Sequence, residues 1–403
     1  MKTATYVKLS AMMLLNYFVW GAWYVTIGTF MGEALGFSDL QIGSVYATNA
    51  IAAMVSPFFV GMIADRFFNA ERILGILHLL GAIVMFMATQ STDFGSFYFF
   101  ILLYNLCFMP SIAITNSIAF NQMDNPEKSF PYIRVWGTLG WIAIGVIIGS
   151  LSADATVLPL QIAAGASVLM GLYSFLLPPT PPKAKGQKVS AREILGLDAL
   201  ALMKRPAFAI LIISSVLVCI PLAFYYNFTN LFLNEIGMEN AAARMTLGQV
   251  SEVLFLLIMP LLFVRLGVKK MIMVGVLAWA LRYVLFAFGD IEGNLWMLYA
   301  GIILHGICYD FFFVTGQIFV DNEAPEELKS SAQGLITFAT YGLGLFTGSY
   351  VSGAVIEHYA NLDAANNVIG HDWTGGWLVP AALAGAVLLF FAFAFREKKE
   401  TAV

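Results

Sequence analysis

The sequence predicts an all-α membrane protein of twelve spans, and three observations lead there. The chain has 403 residues, 60% hydrophobic and only 11% charged, with a mean hydropathy of +0.80; a water-soluble core needs far less apolar material. The apolar residues gather in long runs, and ~20 residues at 1.5 Å rise cover the ~30 Å hydrocarbon core as a helix. The basic residues crowd into alternate connections between those runs, as the positive-inside rule requires.

The runs and their punctuation place spans at about 9–31, 41–64, 72–90, 96–120, 132–151, 157–177, 207–233, 245–264, 268–288, 295–319, 330–356 and 376–395. An even number puts both termini on one side. Of the 21 Lys and Arg, only Arg134, Arg244 and Arg282 fall away from that side, so both termini are expected to be cytoplasmic. Nothing like a small-residue cleavage site follows the first run, which is expected to be retained as a span. The net charge of −4 gives no reason to expect nucleic acid as a partner. Cys107, Cys219 and Cys308 lie in apolar runs without metal-site spacing and read as buried hydrophobes.

The first span carries Trp20-Gly21-Ala22-Trp23-Tyr24, an aromatic patch that either faces lipid or a neighbouring helix or walls a cavity. The second contains Asn49, which needs an internal partner in a membrane, and ends in Gly61-Met62-Ile63-Ala64-Asp65-Arg66. There Gly61 allows close helix approach, and Asp65 and Arg66 can pair across a helix junction. This Gly-x-x-x-Asp-Arg loop resembles the signature loop of the major facilitator superfamily. Span four bends at Pro110 and holds Asn116; span five is expected to open at Pro131. Within span five, Arg134, Thr138 and Trp141 are spaced i, i+4, i+7 and share one helix face. A guanidinium, a hydroxyl and an indole together can grip a polar ring compound, while Arg134 near a helix end can equally snorkel to headgroups.

Pro178 to Pro182 stops span six. A basic linker over 181–205, with a short helix expected over Ala191–Met203, separates an N-terminal six-helix bundle (1–180) from a C-terminal one (206–403). Span seven carries Tyr225-Tyr226-Asn227-Phe228-Thr229-Asn230. Span eight holds Gln249-Val250-Ser251-Glu252, and a lone carboxylate in hydrocarbon is tolerated mostly where it faces a bundle interior or wet cavity. Arg282 in span nine either pairs with a carboxylate or snorkels. Span ten contains His305-Gly306-Ile307-Cys308-Tyr309-Asp310, with Asp310 near mid-span; span eleven is rich in Gly and Ser and suits close packing. The stretch from His358 to Thr374 reads as a solvated loop, because His358, Asp363, His371 and Asp372 have no regular ligand spacing. No metal site is expected.

Ser129–Trp141, Gln249–Pro260 and Asp310 with its following phenylalanines closely resemble the bacterial nucleoside:proton symporters, a branch of the major facilitator superfamily that includes nucleoside and xanthosine permeases. The likeness extends to Met109-Pro110 with Asn116, Leu195–Ala199, Leu281–Asp290 and Ser331–Gly334. It implies that Arg134, Thr138, Trp141, Gln249, Glu252 and Tyr309 line a nucleoside site. The chain departs from a well-known permease of the family at Ala223 and Tyr226, where that permease offers amides, and at His305, where it has a tyrosine. Tyr226, Asn227 and His305 complete the candidate set. The chemistry agrees, since sugar hydroxyls and base edges need Arg, Gln, Glu and Thr, and a base face needs an aromatic such as Trp141 or Tyr309.

The expected function is proton-coupled nucleoside import by alternating access across the bacterial cytoplasmic membrane. The protein would act as a monomer without cofactor, driven by the proton gradient. Glu252 or Asp310, or the two as a coupled pair, would carry the proton, with the resemblance favouring Glu252; alternatively one acid only neutralises Arg134 or Arg282. A sugar or polyol symporter of the same fold and a nutrient sensor that does not transport are the rival readings. An enzyme is not expected: there is no His-Glu-x-x-His, Gly-x-Ser-x-Gly or Gly-x-x-x-x-Gly-Lys, and the missing P-loop also speaks against an ATP-driven pump.

Overall fold

The computed structural model describes residues 3–59, 68–123, 126–182, 197–365 and 367–396, which are helical apart from their connections and one small hairpin. Gly61, Asp65 and Arg66 lie outside the described residues. In chain order the main helices are α1 (Thr3–Trp23), α2 (Asp39–Phe59), α3 (Ala70–Ala88), α4 (Phe94–Asn121), α5 (Pro126–Ser150), α6 (Leu158–Ser174) and α7 (Pro206–Glu235). A continuous helical stretch, Ala241–Phe288, breaks at Gly267, whose φ of 70° is open to glycine at little cost; its parts are α8 (241–266) and α9 (268–288). Then come α10 (Leu295–Glu323), α11 (329–358) and α12 (Trp373–Ala394). With the stretch Ala241–Phe288 taken as one, seven helices among the described residues are long and apolar enough to cross a membrane.

Local chemistry sets several of these ends. Ser38 and Gln41 form a reciprocal capping box before α2: Ser38 N donates to Gln41 Oε1 at 3.0 Å, and Gln41 N to Ser38 Oγ at 3.4 Å. Asp93 caps α4 by accepting from Ser96 N at 2.9 Å, and these bonds hold its carboxyl below the usual carboxylate range. Lys269 Nζ donates to Ala392 O and Phe395 O, both at 2.7 Å, and so closes the C-terminus of α12.

The structure corrects four local expectations. The first span is not one helix to residue 31: after Trp23 the chain turns, makes one helical turn (Ile27–Thr29) and continues as a π segment (Phe30–Ala34). Tyr46 bridges this break, its hydroxyl donating to Tyr24 O at 2.9 Å and accepting from Gly28 N at 3.2 Å. Pro131 lies inside α5 rather than at its start. The linker helix is a 3-10 helix over Leu197–Lys204; residues 191–196 lie outside the described set. The stretch after α11 is an antiparallel hairpin, β1 (Ala360–Leu362) with β2 (Val368–His371). It is closed by Asp363, which accepts from the backbone N of Ala365 and Asn367, both at 2.8 Å. An Asp-centred turn of this kind has no hydrophobic periodicity to announce it.

Two compact units make up the chain: Met1–Ser190 with Tyr226–Thr246, and Ala191–Tyr225 with Leu247–Val403. In the first unit the α1–α5 seam is built on glycine. A Cβ at Gly140 would run into the Leu14 carbonyl, and one at Gly137 would come within 2.7 Å of the Tyr17 ring. Several buried polar groups of this unit pair with one another, as hydrocarbon surroundings favour. Asn16 Oδ1 accepts from His78 Nε2 at 2.9 Å and from Ser111 Oγ at 3.0 Å, and Asn105 Nδ2 donates to Thr48 at 2.9 Å. Asp154 accepts from Asn230 Nδ2 at 2.7 Å and from Ala242 N at 3.0 Å, capping α8.

In the second unit α8 is two-faced. Leu257 and Val264 are 72% and 87% exposed, an apolar surface suited to lipid rather than water. Ser251 and Met259 on the same helix are buried, and Met259 joins Met271 and Phe311 in a core cluster.

Candidate functional site

Five of the candidate residues fall in the first unit. Gly137 carries no side chain where α5 meets α1, so the Arg134 guanidinium can lie over the Tyr17 ring, 4.0 Å from its centroid. A cation held this way is positioned by the ring while its planar donor fork stays available. Two turns further along α5, Trp141 meets Trp20 edge-on, with centroids 5.4 Å apart. Gly21 permits that approach, since its Cβ would stand 3.0 Å from the Trp141 ring. Trp20 also packs on Phe108 at 5.8 Å, so the aromatic patch predicted in the first span meets neighbouring helices. Tyr24 continues the cluster to Trp141 at 6.4 Å and to Tyr226 at 5.6 Å. Arg134, Thr138 and Trp141 are all half-buried, as a lining face should be. Asn227 is buried, and its carbonyl would meet a Cβ at Gly28 at 2.5 Å.

The other five gather in the second unit. Gly306 brings α10 against α8, since its Cβ would lie 2.6 Å from Ser251 and Glu252 backbone atoms. Its N–H donates to Ser251 Oγ at 3.0 Å. Gly248 does the same one turn earlier, where a Cβ would come within 3.1 Å of His305. The two glycines thereby set His305 Nε2 3.9 Å from Glu252 Oε2. His305 is buried, whereas the Glu252 side chain is 27% exposed, so the contact joins an enclosed imidazole to a carboxyl that solvent can reach. Gln249 lies half-buried just before Glu252 on α8.

A column of planar groups runs through the same region. The Arg282 guanidinium sits 4.1 Å over the Tyr225 ring, Tyr225 stacks on His305 at 5.0 Å, and His305 on Tyr309 at 5.9 Å. Arg282 is fully buried and its Nε donates to Gly301 O at 3.0 Å, so it does not snorkel. Asp310 follows Tyr309 and opens a π segment, Asp310–Val314; such one-turn bulges recur at functional sites. It is 1% exposed, lies within electrostatic reach of Glu252, and its Oδ2 has no hydrogen-bond partner among the described residues. A carboxyl so enclosed is costly to ionise and suits a group that takes up and releases a proton.

Tyr17, Tyr225 and Tyr341 are the residues that sequence reasoning missed as parts of these arrangements. Tyr17 and Tyr341 are single tyrosines with no spacing signal of their own, and Tyr225 stood out only as part of the polar and aromatic stretch Tyr225–Asn230. Tyr341 bonds Tyr309 hydroxyl to hydroxyl.

Residues 1–400 match the family model described as nucleoside H+ symporter. The chain is 42% identical to YegT of Escherichia coli K12, by name a candidate nucleoside transporter, over 98% of this chain and 95% of the relative. It is 33% identical to the xanthosine permease of the same organism, with coverages of 98% and 97%. Superposed on the crystal structure of the nucleoside transporter NupG it gives a TM-score of 0.89 at 32% identity, covering 98% of this chain and all of the other.

The stacked column makes a stability prediction. Tyr225→Phe keeps the ring beneath Arg282 and should leave the thermal unfolding of detergent-purified protein nearly unchanged. Arg282→Lys loses the planar stack and the bond to Gly301, and should cost on the order of 1–3 kcal/mol. Equal melting temperatures for Arg282→Lys and the parent would contradict the arrangement.

Proposed function

Because the chain belongs to the nucleoside H+ symporter family, whose characterised relatives are permeases and not enzymes, we propose that it imports nucleosides together with protons. The observation that carries this reading is the family match over residues 1–400. We propose further that its helices make twelve spans with both termini cytoplasmic, in the bacterial cytoplasmic membrane. It acts as a monomer, with the proton gradient as its only drive. The basic loops and the apolar outer face of α8 support this placement.

Arg134, Thr138 and Trp141 are proposed substrate contacts from the first unit, joined by Tyr226 and Asn227; Gln249, Glu252, His305 and Tyr309 are those from the second. The Arg134 fork suits base-edge or ribose oxygens, and Trp141 offers a ring to a base face. Glu252, reachable by solvent and beside His305, and Asp310, sealed and within its electrostatic reach, are the proposed proton-coupling pair.

In proteoliposomes an inward proton gradient should drive accumulation of radiolabelled uridine or adenosine, and excess free ribose should not compete. Glu252→Gln and Asp310→Asn separate the roles: the coupling group, once neutralised, loses accumulation but keeps counterflow. Accumulation that survives both substitutions would remove the pair from the mechanism. Binding without movement in any arm would favour a sensor.

Stacking on Trp141 gives a second expectation. Trp141→Phe should keep part of the affinity, and Trp141→Ala should lose ~1–3 kcal/mol, as for base–aromatic stacking elsewhere. Unchanged affinity in Trp141→Ala, measured by equilibrium binding, would take Trp141 out of the site.

A further inference from the structure

Tyr341 lies on α11, and neither its neighbours in sequence nor its spacing mark it. Its hydroxyl bonds that of Tyr309 on α10. Phe313 completes the cluster, with its ring 5.0 Å from Tyr309 and 6.4 Å from Tyr341. Both tyrosines are half-buried, so neither is sealed into the core as Phe312 and Phe313 are.

The backbone on each side of this bond is irregular in the same way. Tyr309 immediately precedes the π segment Asp310–Val314, and Tyr341 lies within the π segment Phe338–Gly344. A π turn carries one more residue than an α turn, which shifts the direction of the side chains around it. The α11 segment is itself braced against α7. A Cβ at Gly344 would come within 2.7 Å of Cys219 and 3.1 Å of Val216 O, and one at Gly348 within 2.7 Å of Cys219 O. The tyrosine hydroxyl is thus presented from a backbone that has little room to move.

We infer that Tyr341 is a positioning residue for transport: its hydroxyl fixes the Tyr309 ring at the angle at which Tyr309 meets the nucleoside. Tyr309 ends the column that begins at Arg282 and passes through Tyr225 and His305, and Asp310 follows it directly. Freeing the Tyr309 ring therefore loosens one wall of the substrate group without touching either carboxyl. The inference rests on the proposed placement of Tyr309 at the substrate.

The test is uptake of radiolabelled uridine and adenosine into proteoliposomes by the parent, Tyr309→Phe, Tyr341→Phe and the double variant. Loss of one neutral hydrogen bond should raise KM about three- to tenfold for Tyr341→Phe. The turnover number should stay within about twofold, and the double variant should be no worse than Tyr309→Phe alone. A merely structural role would lower the amount of folded protein and leave KM where it was. The thermal shift produced by the same nucleosides in detergent reads the affinity loss independently of turnover. If Tyr309→Phe raises KM while Tyr341→Phe does not, or if the two effects add, the positioning role is overturned. If neither variant moves KM although the parent transports, Tyr309 does not meet substrate and the site assignment falls with it.

Discussion

The cost of an ionised carboxyl inside an apolar helix bundle is the constraint around which this protein is arranged. Asp310 is almost entirely enclosed and Glu252 is only partly open, yet both sit in segments whose remaining residues are nearly all apolar. Such groups persist where a partner or a function compensates for them. Here the compensation is local to one unit: His305 stands beside Glu252, and Arg282 lies in the stacked column that His305 joins. Small residues make this density possible, because Gly248 and Gly306 bring α8 and α10 to backbone contact.

The first unit solves a different problem with the same device. Gly137 and Gly21 clear space on opposite sides of the α1–α5 seam, and the space is filled by Arg134 over Tyr17 and by Trp141 against Trp20. The result is a face carrying the Arg134 cation and several rings, held in place by packing. That rigidity matters for recognition, since a platform that is already ordered loses little side-chain entropy when a planar ligand settles on it.

Much of this was legible in the sequence, for identifiable reasons. The i, i+4, i+7 spacing of Arg134, Thr138 and Trp141 fixes a shared face whatever surrounds it, and an isolated Glu252 in a span stands out against composition alone. Partners were not legible. Nothing in the spacing says that Tyr17 lies under Arg134 or that Tyr341 reaches Tyr309, because such contacts depend on how separate helices pack. The π segments at Asp310 and Phe338 and the break after Trp23 were also hidden. Inserting one residue into a helical turn changes side-chain direction without changing the average hydropathy that a sequence reading follows. Arg282 was ambiguous for a related reason: a long cationic side chain can reach a headgroup or a buried ring, and only the neighbouring backbone decides.

The central claim is that nucleoside and proton move together through these carboxyls, and the most direct measurement is substrate-induced proton flux. Proteoliposomes are held in a weakly buffered medium at equal pH inside and out, with valinomycin and potassium clamping the membrane potential. Addition of uridine should make the outer medium more alkaline as protons enter with substrate, and the signal should vanish in Asp310→Asn or in Glu252→Gln. Entry of uridine at the parent's rate with no change in external pH would contradict the account.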